Sequence, residues 1–211
     1  VGCIAPSFVV NPATAAAFGQ VAESVIGGRY LASVGRAAFF PASNKDFQDI
    51  SVGFGNTTLF ISFLKANNKL SASELLFLSS AGLVNIPDLM THDRPRRMEF
   101  YEIKPNSIDG VAAGKIKIAS LSALFAYLGL SYRQGTIWRP SEKVLLWSGF
   151  ILGAWIEAYL DYFASPSTKG LIVYELCIEG EVEKALQRVE LAILIASIII
   201  MILPVPKLAP A

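Results

Sequence analysis

NIPDLMTHDRPRRMEFYEIKPNS, residues 85–107, decides how this chain folds. Val84 to Met90 and Met98 to Lys104 each read as a β-strand. Between them THDRPRR, 91–97, is polar and contains Pro95, so the two strands form a hairpin with a long loop. Side chains alternate along a strand, so Glu102 and Lys104 share one face of the sheet while Tyr101 and Ile103 take the other. Asp88 belongs to the first strand, and antiparallel pairing can bring it beside Glu102. Two carboxylates and one ammonium then converge on one spot.

The flanks give the rest of the fold. Gly110 to Gly129 is helical, with Ile118, Leu121, Phe125 and Leu128 at helical spacing. Ser131 to Trp138 is a candidate strand, and Val144 to Tyr162 is apolar and aromatic with a mixed signal. Leu171 to Ile178, LIVYELCI, is nearly continuous and β-rich, as in a strand buried on both faces. Upstream, Asn11-Pro12 starts a helix with an apolar face of Phe18, Val21, Ala22, Val25 and Ile26, and Gly27-Gly28 is expected to stop it. Residues 31–58 look irregular, and Thr58 to Leu64 is short and regular. Ser71 or Ser73 caps a further helix running to Ser80, with Glu74 in its first turn. Strands and helices interleave around a mixed sheet, which makes the chain α/β. We read residues 1–211 as one domain with its core at about 71–180, an N-terminal helical segment at 11–30 and a C-terminal apolar helix at about 181–203.

Composition removes several functional classes. A net charge of +1 excludes a general polyanion binder, so nucleic acid would need a local basic patch. Two cysteines, Cys3 and Cys177, exclude a disulfide framework or a thiolate zinc cluster, and Cys177 reads as an inert core thiol. A single histidine, His92, excludes a mechanism that needs two imidazoles in one chain and reads as a polar loop residue. The start, Val1-Gly2-Cys3, has no positive leader region and is expected to be a processed piece of something longer. Leu191–Leu203 falls short of the roughly 18–20 apolar residues a spanning helix needs, so it is expected to pack on the sheet.

Asp88, Glu102 and Lys104 suit metal-assisted hydrolysis. Carboxylates are hard ligands for Mg2+ or Mn2+. Such a cation acidifies water and offsets charge on a phosphate, and a lysine can orient the attacking water or neutralise the transition state. The bland alternative is a surface hairpin with an exposed aspartate and a cross-strand ion pair worth at most ~1 kcal/mol.

Ile86-Pro87-Asp88-Leu89 followed by Tyr101-Glu102-Ile103-Lys104-Pro105-Asn106 resembles the PD-(D/E)XK, or restriction-endonuclease-like, nuclease superfamily. YEIKPNS with Gly110, Gly114 and Lys115 after it is similar to the toxin domains of bacterial polymorphic toxins and type VI secretion effectors, and Gly170 to Glu181 is similar to the same group. The resemblance implies a restriction-endonuclease-like core, a central mixed β-sheet flanked by helices. It implies that Asp88, Glu102 and the Ile103 backbone carbonyl hold Mg2+ or Mn2+ and that Lys104 is the catalytic lysine. A glutamate from a preceding helix often joins such sites; here it is Glu23 or Glu74, with a slight preference for Glu23. Lys115 or Lys117 would fill the basic position on the following helix, where many members have glutamine. The resemblance further implies a DNase toxin domain of a secreted antibacterial effector. It would act in the cytoplasm of a target bacterium on a DNA substrate and be neutralised by a cognate immunity protein.

Arg94, Arg96 and Arg97 cluster in the hairpin turn and could steer a phosphate backbone toward the site, with Arg133 and Arg139 as weaker versions. Tyr127, Trp138, Trp147 and Trp155 read as core rather than stacking platforms. Two other functions compete with the nuclease: a PD-(D/E)XK-like binding module without catalysis, and a toxin acting on membranes through 144–162 and 191–203.

Overall fold

The computed structural model describes residues 2–5, 12–34, 38–39, 54–80, 86–93, 97–151, 154–180 and 198–199. Their elements run β1 (Gly2–Ile4), α1 (Pro12–Val34), β2 (Ala38–Phe39), α2 (Phe54–Asn67), α3 (Ala72–Ser80), β3 (Leu89–Asp93), β4 (Arg97–Pro105), α4 (Ile108–Tyr127), β5 (Arg133–Gln134), β6 (Ser141–Ile151), β7 (Ala154–Ala164) and β8 (Leu171–Gly180). The chain is α/β with a mixed sheet in the order β2-β3-β4-β8-β7-β6, β1 pairing with β8 and β5 with β4. β4 runs parallel to both β5 and β8, while the hairpins β3–β4, β6–β7 and β7–β8 are antiparallel.

Alternation along the strands divides the core. Tyr101, Ile103, Ile172, Tyr174, Leu176 and Ile178 face α1, where Phe18, Ala22, Ile26 and Tyr30 form a fully buried stripe at four-residue spacing. Phe100, Leu171 and Val173 face the other way, onto Ile118, Leu121 and Phe125 of α4 and Phe60 and Leu64 of α2. α4 sits close because it carries glycine at the contact. A Cβ at Gly114 would stand 2.6 Å from Leu171 Cδ1 and 3.2 Å from Lys104 Cγ, and one at Gly110 would stand 2.3 Å from the Pro105 oxygen. The Ser107 hydroxyl caps α4 by accepting from the Gly110 N–H at 3.0 Å.

Several expectations change. α1 runs straight through Gly27-Gly28 to Val34. Tyr30 explains this: it is fully buried, edge-on to Tyr101 and Trp138 at 5.6 and 5.0 Å, and bonded to the Thr91 hydroxyl. Packing of that ring outweighs the ~1 kcal/mol cost of each helical glycine. β3 begins at Leu89, so Asp88 lies in a bend just ahead of it, and the strand continues through Thr91, His92 and Asp93, which the sequence assigned to the loop. Ser131–Trp138 yields only the short β5. The mixed stretch 144–162 is the β6–β7 hairpin, irregular between Leu145 and Trp147. Cys3 and Cys177 are directly opposed in β1 and β8 and joined in a disulfide, so Cys177 is not a free thiol. Trp138 is buried and Trp147 packs on the core, but Tyr127 and Trp155 are exposed. Of the run 191–203, only Ile198 and Ile199 are described. Both are helical and fully buried against the α1 side of the sheet. No helix among the described residues is long and apolar enough to cross a membrane. The expected helix after Glu181 otherwise lies outside the described residues.

Candidate functional site

The hairpin register pairs Leu89 with Tyr101, which leaves Asp88 level with Glu102. The carboxylate of Asp88 is fixed there by the Ile103 N–H, which donates to Oδ2 at 2.7 Å. Two ammoniums close the group from β4 and α4. Lys104 Nζ pairs with Glu102 Oε1, stands 3.7 Å from Asp88 Oδ2 and donates to the Ile103 carbonyl at 3.0 Å. Lys117 Nζ lies 2.8 Å from Glu102 Oε1 and 3.1 Å from Asp88 Oδ1. The Glu102 side chain has no exposed surface, and its second oxygen, Oε2, is buried with no hydrogen-bond partner.

Glu23 and Glu74 separate clearly. Glu23 flanks the buried stripe of α1, and its charge interacts with Asp88, Lys104 and Lys117. Burial, then the Asp88 charge, push its carboxyl up to about 7 against the pull of the two lysines. Glu74 instead faces solvent and completes a capping box with Ser71. The Ser71 N–H donates to its Oε2 at 2.6 Å, and the Glu74 N–H donates back to the Ser71 hydroxyl at 3.3 Å. Those bonds from Ser71 lower its pKa. The sequence could not choose between the two glutamates; the placement of α1 lets the charge of Glu23, and not that of Glu74, couple to Asp88.

The charges in the cluster are interdependent. Burial, then the Asp88 charge, raise the Glu102 carboxyl to about 8. Burial also acts to raise Asp88, but Lys117, Lys104, the Ile103 N–H and the neighbouring Glu102 carboxyl more than offset it and hold Asp88 below the usual carboxylate range. Burial disfavours charge on Lys104, yet Asp88 and Glu102 overcome it and raise the ammonium's pKa. Tyr174, a residue the sequence reading passed over, lies near the same group. Burial and then the Glu23 charge lift its phenol to about 12, and its hydroxyl stands 3.2 Å from where a Cβ on Gly19 would be, one turn before Glu23. Its only sequence signal is a tyrosine among the otherwise aliphatic α1-facing residues Ile172, Leu176 and Ile178 of β8.

Other candidates lie elsewhere. Lys115 is exposed on α4, two residues and about 200° from Lys117. Arg94 and Arg96 fall outside the described residues. Arg97 opens β4 opposite Asp93, four register steps from the Leu89–Tyr101 pair, or about 14 Å along the strand. Nearness in sequence therefore does not place Arg97 at the acids; it stands at the other end of the β3–β4 pairing. Arg133 and Arg139 are exposed. His92 is a strand residue whose Nδ1 lies 2.7 Å from the Tyr132 hydroxyl.

The donors here fit a hard divalent cation. The buried Glu102 Oε2, which no group of the described chain is placed to donate to, is open to a ligand from outside the chain. All the side-chain donors are oxygens, as Mg2+ and Mn2+ prefer. Among the described residues the single group of three ligand atoms within 4.8 Å of one another is Cys3, Glu175 and Cys177, whose sulfurs are bonded to each other and are not thiolates. The Glu23, Asp88 and Glu102 carboxylates are more widely spaced, which suits a cation that retains several waters. Comparison with family models, with characterised proteins and with solved structures finds no match to this chain.

Proposed function

We propose that this chain is a metal-dependent nuclease with a restriction-endonuclease-like core. The observation that carries the reading is the unpartnered Oε2 of the buried Glu102 carboxyl, whose other oxygen, Oε1, meets Lys104 and Lys117. The helix before the Asp88 bend, the mixed sheet and α4 after Lys104 support it further. Asp88, Glu102, the Ile103 carbonyl and Glu23 are the residues that would hold Mg2+ or Mn2+. When bound, such an ion acidifies water and offsets phosphate charge.

The chain's own groups do the rest. Lys104, steadied by Glu102 and the Ile103 carbonyl, is the donor that orients the attacking water in line with the scissile phosphorus. Lys117 reaches in from α4 and is placed to meet a non-bridging phosphate oxygen as charge builds there. Asp88 also accepts from the Ile103 N–H and so fixes the β4 backbone on which the donors stand. DNA as the substrate, delivery as an antibacterial effector and a cognate immunity protein rest on the sequence resemblance alone.

Plasmid nicking by the purified chain with Mg2+, abolished by EDTA, tests the chemistry. Growth arrest on expression in a bacterial cytoplasm, relieved by Glu102→Ala, tests the toxic role. A second reading has one observation in its favour: Lys104 and Lys117 already pair with Asp88 and Glu102, as in a structural ion-pair cluster of a binding module. DNA binding that ignores EDTA, with no cleavage under any metal, would favour it. Membrane action has less support, because 144–162 forms a hairpin that contributes Ile156, Ala158, Leu160 and Tyr162 to the core.

A further inference from the structure

The sheet has a third surface that the two hydrophobic clusters do not use. Along β7, residues 156, 158, 160 and 162 point into the α1-side core, so 155, 157, 159 and 161 point away from it. Among the described residues, the α4-side cluster takes in Leu171 and Val173 of β8 and reaches β7 at Phe163. Beyond it, Leu145, Phe150, Trp155 and Tyr159 belong to neither cluster, and Leu145, Phe150 and Trp155 are 49%, 72% and 45% exposed. Phe150 and Trp155 meet edge-on at 5.0 Å near the end of the hairpin. An open apolar sheet surface of this kind marks an interaction site.

The charges on this face say what fits it. Asp161 and Glu175 are directly opposed across β7–β8, and so are Glu157 and Glu179. Like charges directly opposite destabilise a sheet, so folding alone does not favour this arrangement. Lys143 lies opposite Asp161, pairs with Glu179 and sits over the Tyr159 ring at 4.2 Å. Asn106 donates to Glu175, and Trp155 and Tyr159 donate to Glu157 at 3.3 and 2.5 Å. Those partners satisfy hydrogen bonds but add no positive charge. Among the described residues the face carries four carboxylates and one ammonium, a net charge of −3.

We infer that the β6–β7–β8 face is the docking surface for a basic protein, whose cations meet Glu157, Asp161, Glu175 and Glu179 and whose apolar side chains meet the flanking Leu145, Tyr159 and Trp155. The charge disfavours the other occupants. A nucleic-acid backbone or an anionic membrane would be repelled, and so would the same face of a second copy. The inference is independent of the nuclease reading, since the face contains none of the residues of that site.

The test titrates the full chain with a short labelled peptide alternating lysine with tryptophan and leucine, beside a control peptide with glutamate for lysine. The cationic peptide should bind, weaken as salt rises and lose at least tenfold in affinity for Glu157→Lys/Glu179→Lys. Trp155→Ser should weaken it through the apolar contacts with the charges intact. Equal binding of both peptides, or a cationic peptide indifferent to both Glu157→Lys/Glu179→Lys and Trp155→Ser, would overturn the inference. So would self-association in sedimentation that Trp155→Ser abolishes, which would make the occupant a second copy, or binding to anionic vesicles through Trp155.

Discussion

Carboxylates gather in two places in this molecule and meet opposite fates. At the β3–β4–α4 end, Asp88 and Glu102 are buried or nearly so, and two lysines stand against them. On the β6–β7–β8 face, four carboxylates are partly open to solvent and, among the described residues, a single lysine answers them. Burial gives the first group strong mutual coupling and shifted pKa values. Water weakens the coupling within the second, and leaves its charges open to what approaches. Carboxylate number does not distinguish the two regions; what differs is the depth at which the backbone places them.

The contrast is broken most forcefully at the buried group. Asp88→Ala and Glu102→Ala should each remove Mg2+-dependent nicking while the far-ultraviolet circular dichroism stays native. Lys104→Ala should cost about 100-fold in rate, the scale of losing one electrostatic or proton-handling group. Nicking that survives either carboxylate variant at wild-type rate would reduce the buried group to a structural ion pair.

Glu23 and Glu74 sharpen the same contrast within the helices. Glu23→Gln should lose most activity. Glu74→Gln should keep it, because the Ser71 cap it serves lies far from the charges of the site. The reverse pattern in a nicking assay would mean that α3, not α1, supplies the acid.

The next effect is on stability. The Cys3–Cys177 bond ties β1 to β8 across a sequence separation of 174 residues. Its loss in Cys3→Ser/Cys177→Ser should cost about 2–4 kcal/mol in urea unfolding. A variant as stable as the parent would show that backbone pairing alone holds β1.

The smallest effect is a pH slope in metal-free protein. Glu23 and Glu102 are raised from 4.5 to about 7 and about 8 in the fold. Between 4.5 and those values the folded chain holds protons that the unfolded chain has released, so stability falls as pH rises across that window. Urea midpoints in EDTA should therefore decline from pH 5 to pH 8, and Glu102→Gln should flatten part of the decline. A midpoint that rises with pH would contradict the burial of these carboxyls. On the open face, Glu157→Gln should leave nicking unchanged.

Much of this could be read from the sequence, for a local reason. Glu102 and Lys104 share a face because side chains alternate, and Asp88 reaches them because a hairpin brings its two arms level. The continuous apolar run of β8 likewise announced a strand covered on both sides. What the sequence hid depends on distant contacts. Choosing Glu23 over Glu74 required knowing where α1 lies on the sheet. The persistence of α1 past Gly27-Gly28 required the Tyr30 pocket, made by Tyr101 and Trp138 more than 70 residues away. The disulfide needed β1 to align with β8, and nothing in the residues beside either cysteine encodes that pairing. Polar Thr91, His92 and Asp93 resembled a loop because their strand is fixed by cross-strand register rather than by an apolar pattern.

The most direct test is nicking of supercoiled plasmid by wild-type and Glu102→Ala protein, each with Mg2+ and with EDTA, at matched folded concentration. Cleavage in the wild-type Mg2+ reaction alone is the expected result. Cleavage by Glu102→Ala at the wild-type rate, or wild-type cleavage that persists in EDTA, would contradict a metal-dependent site built on Glu102.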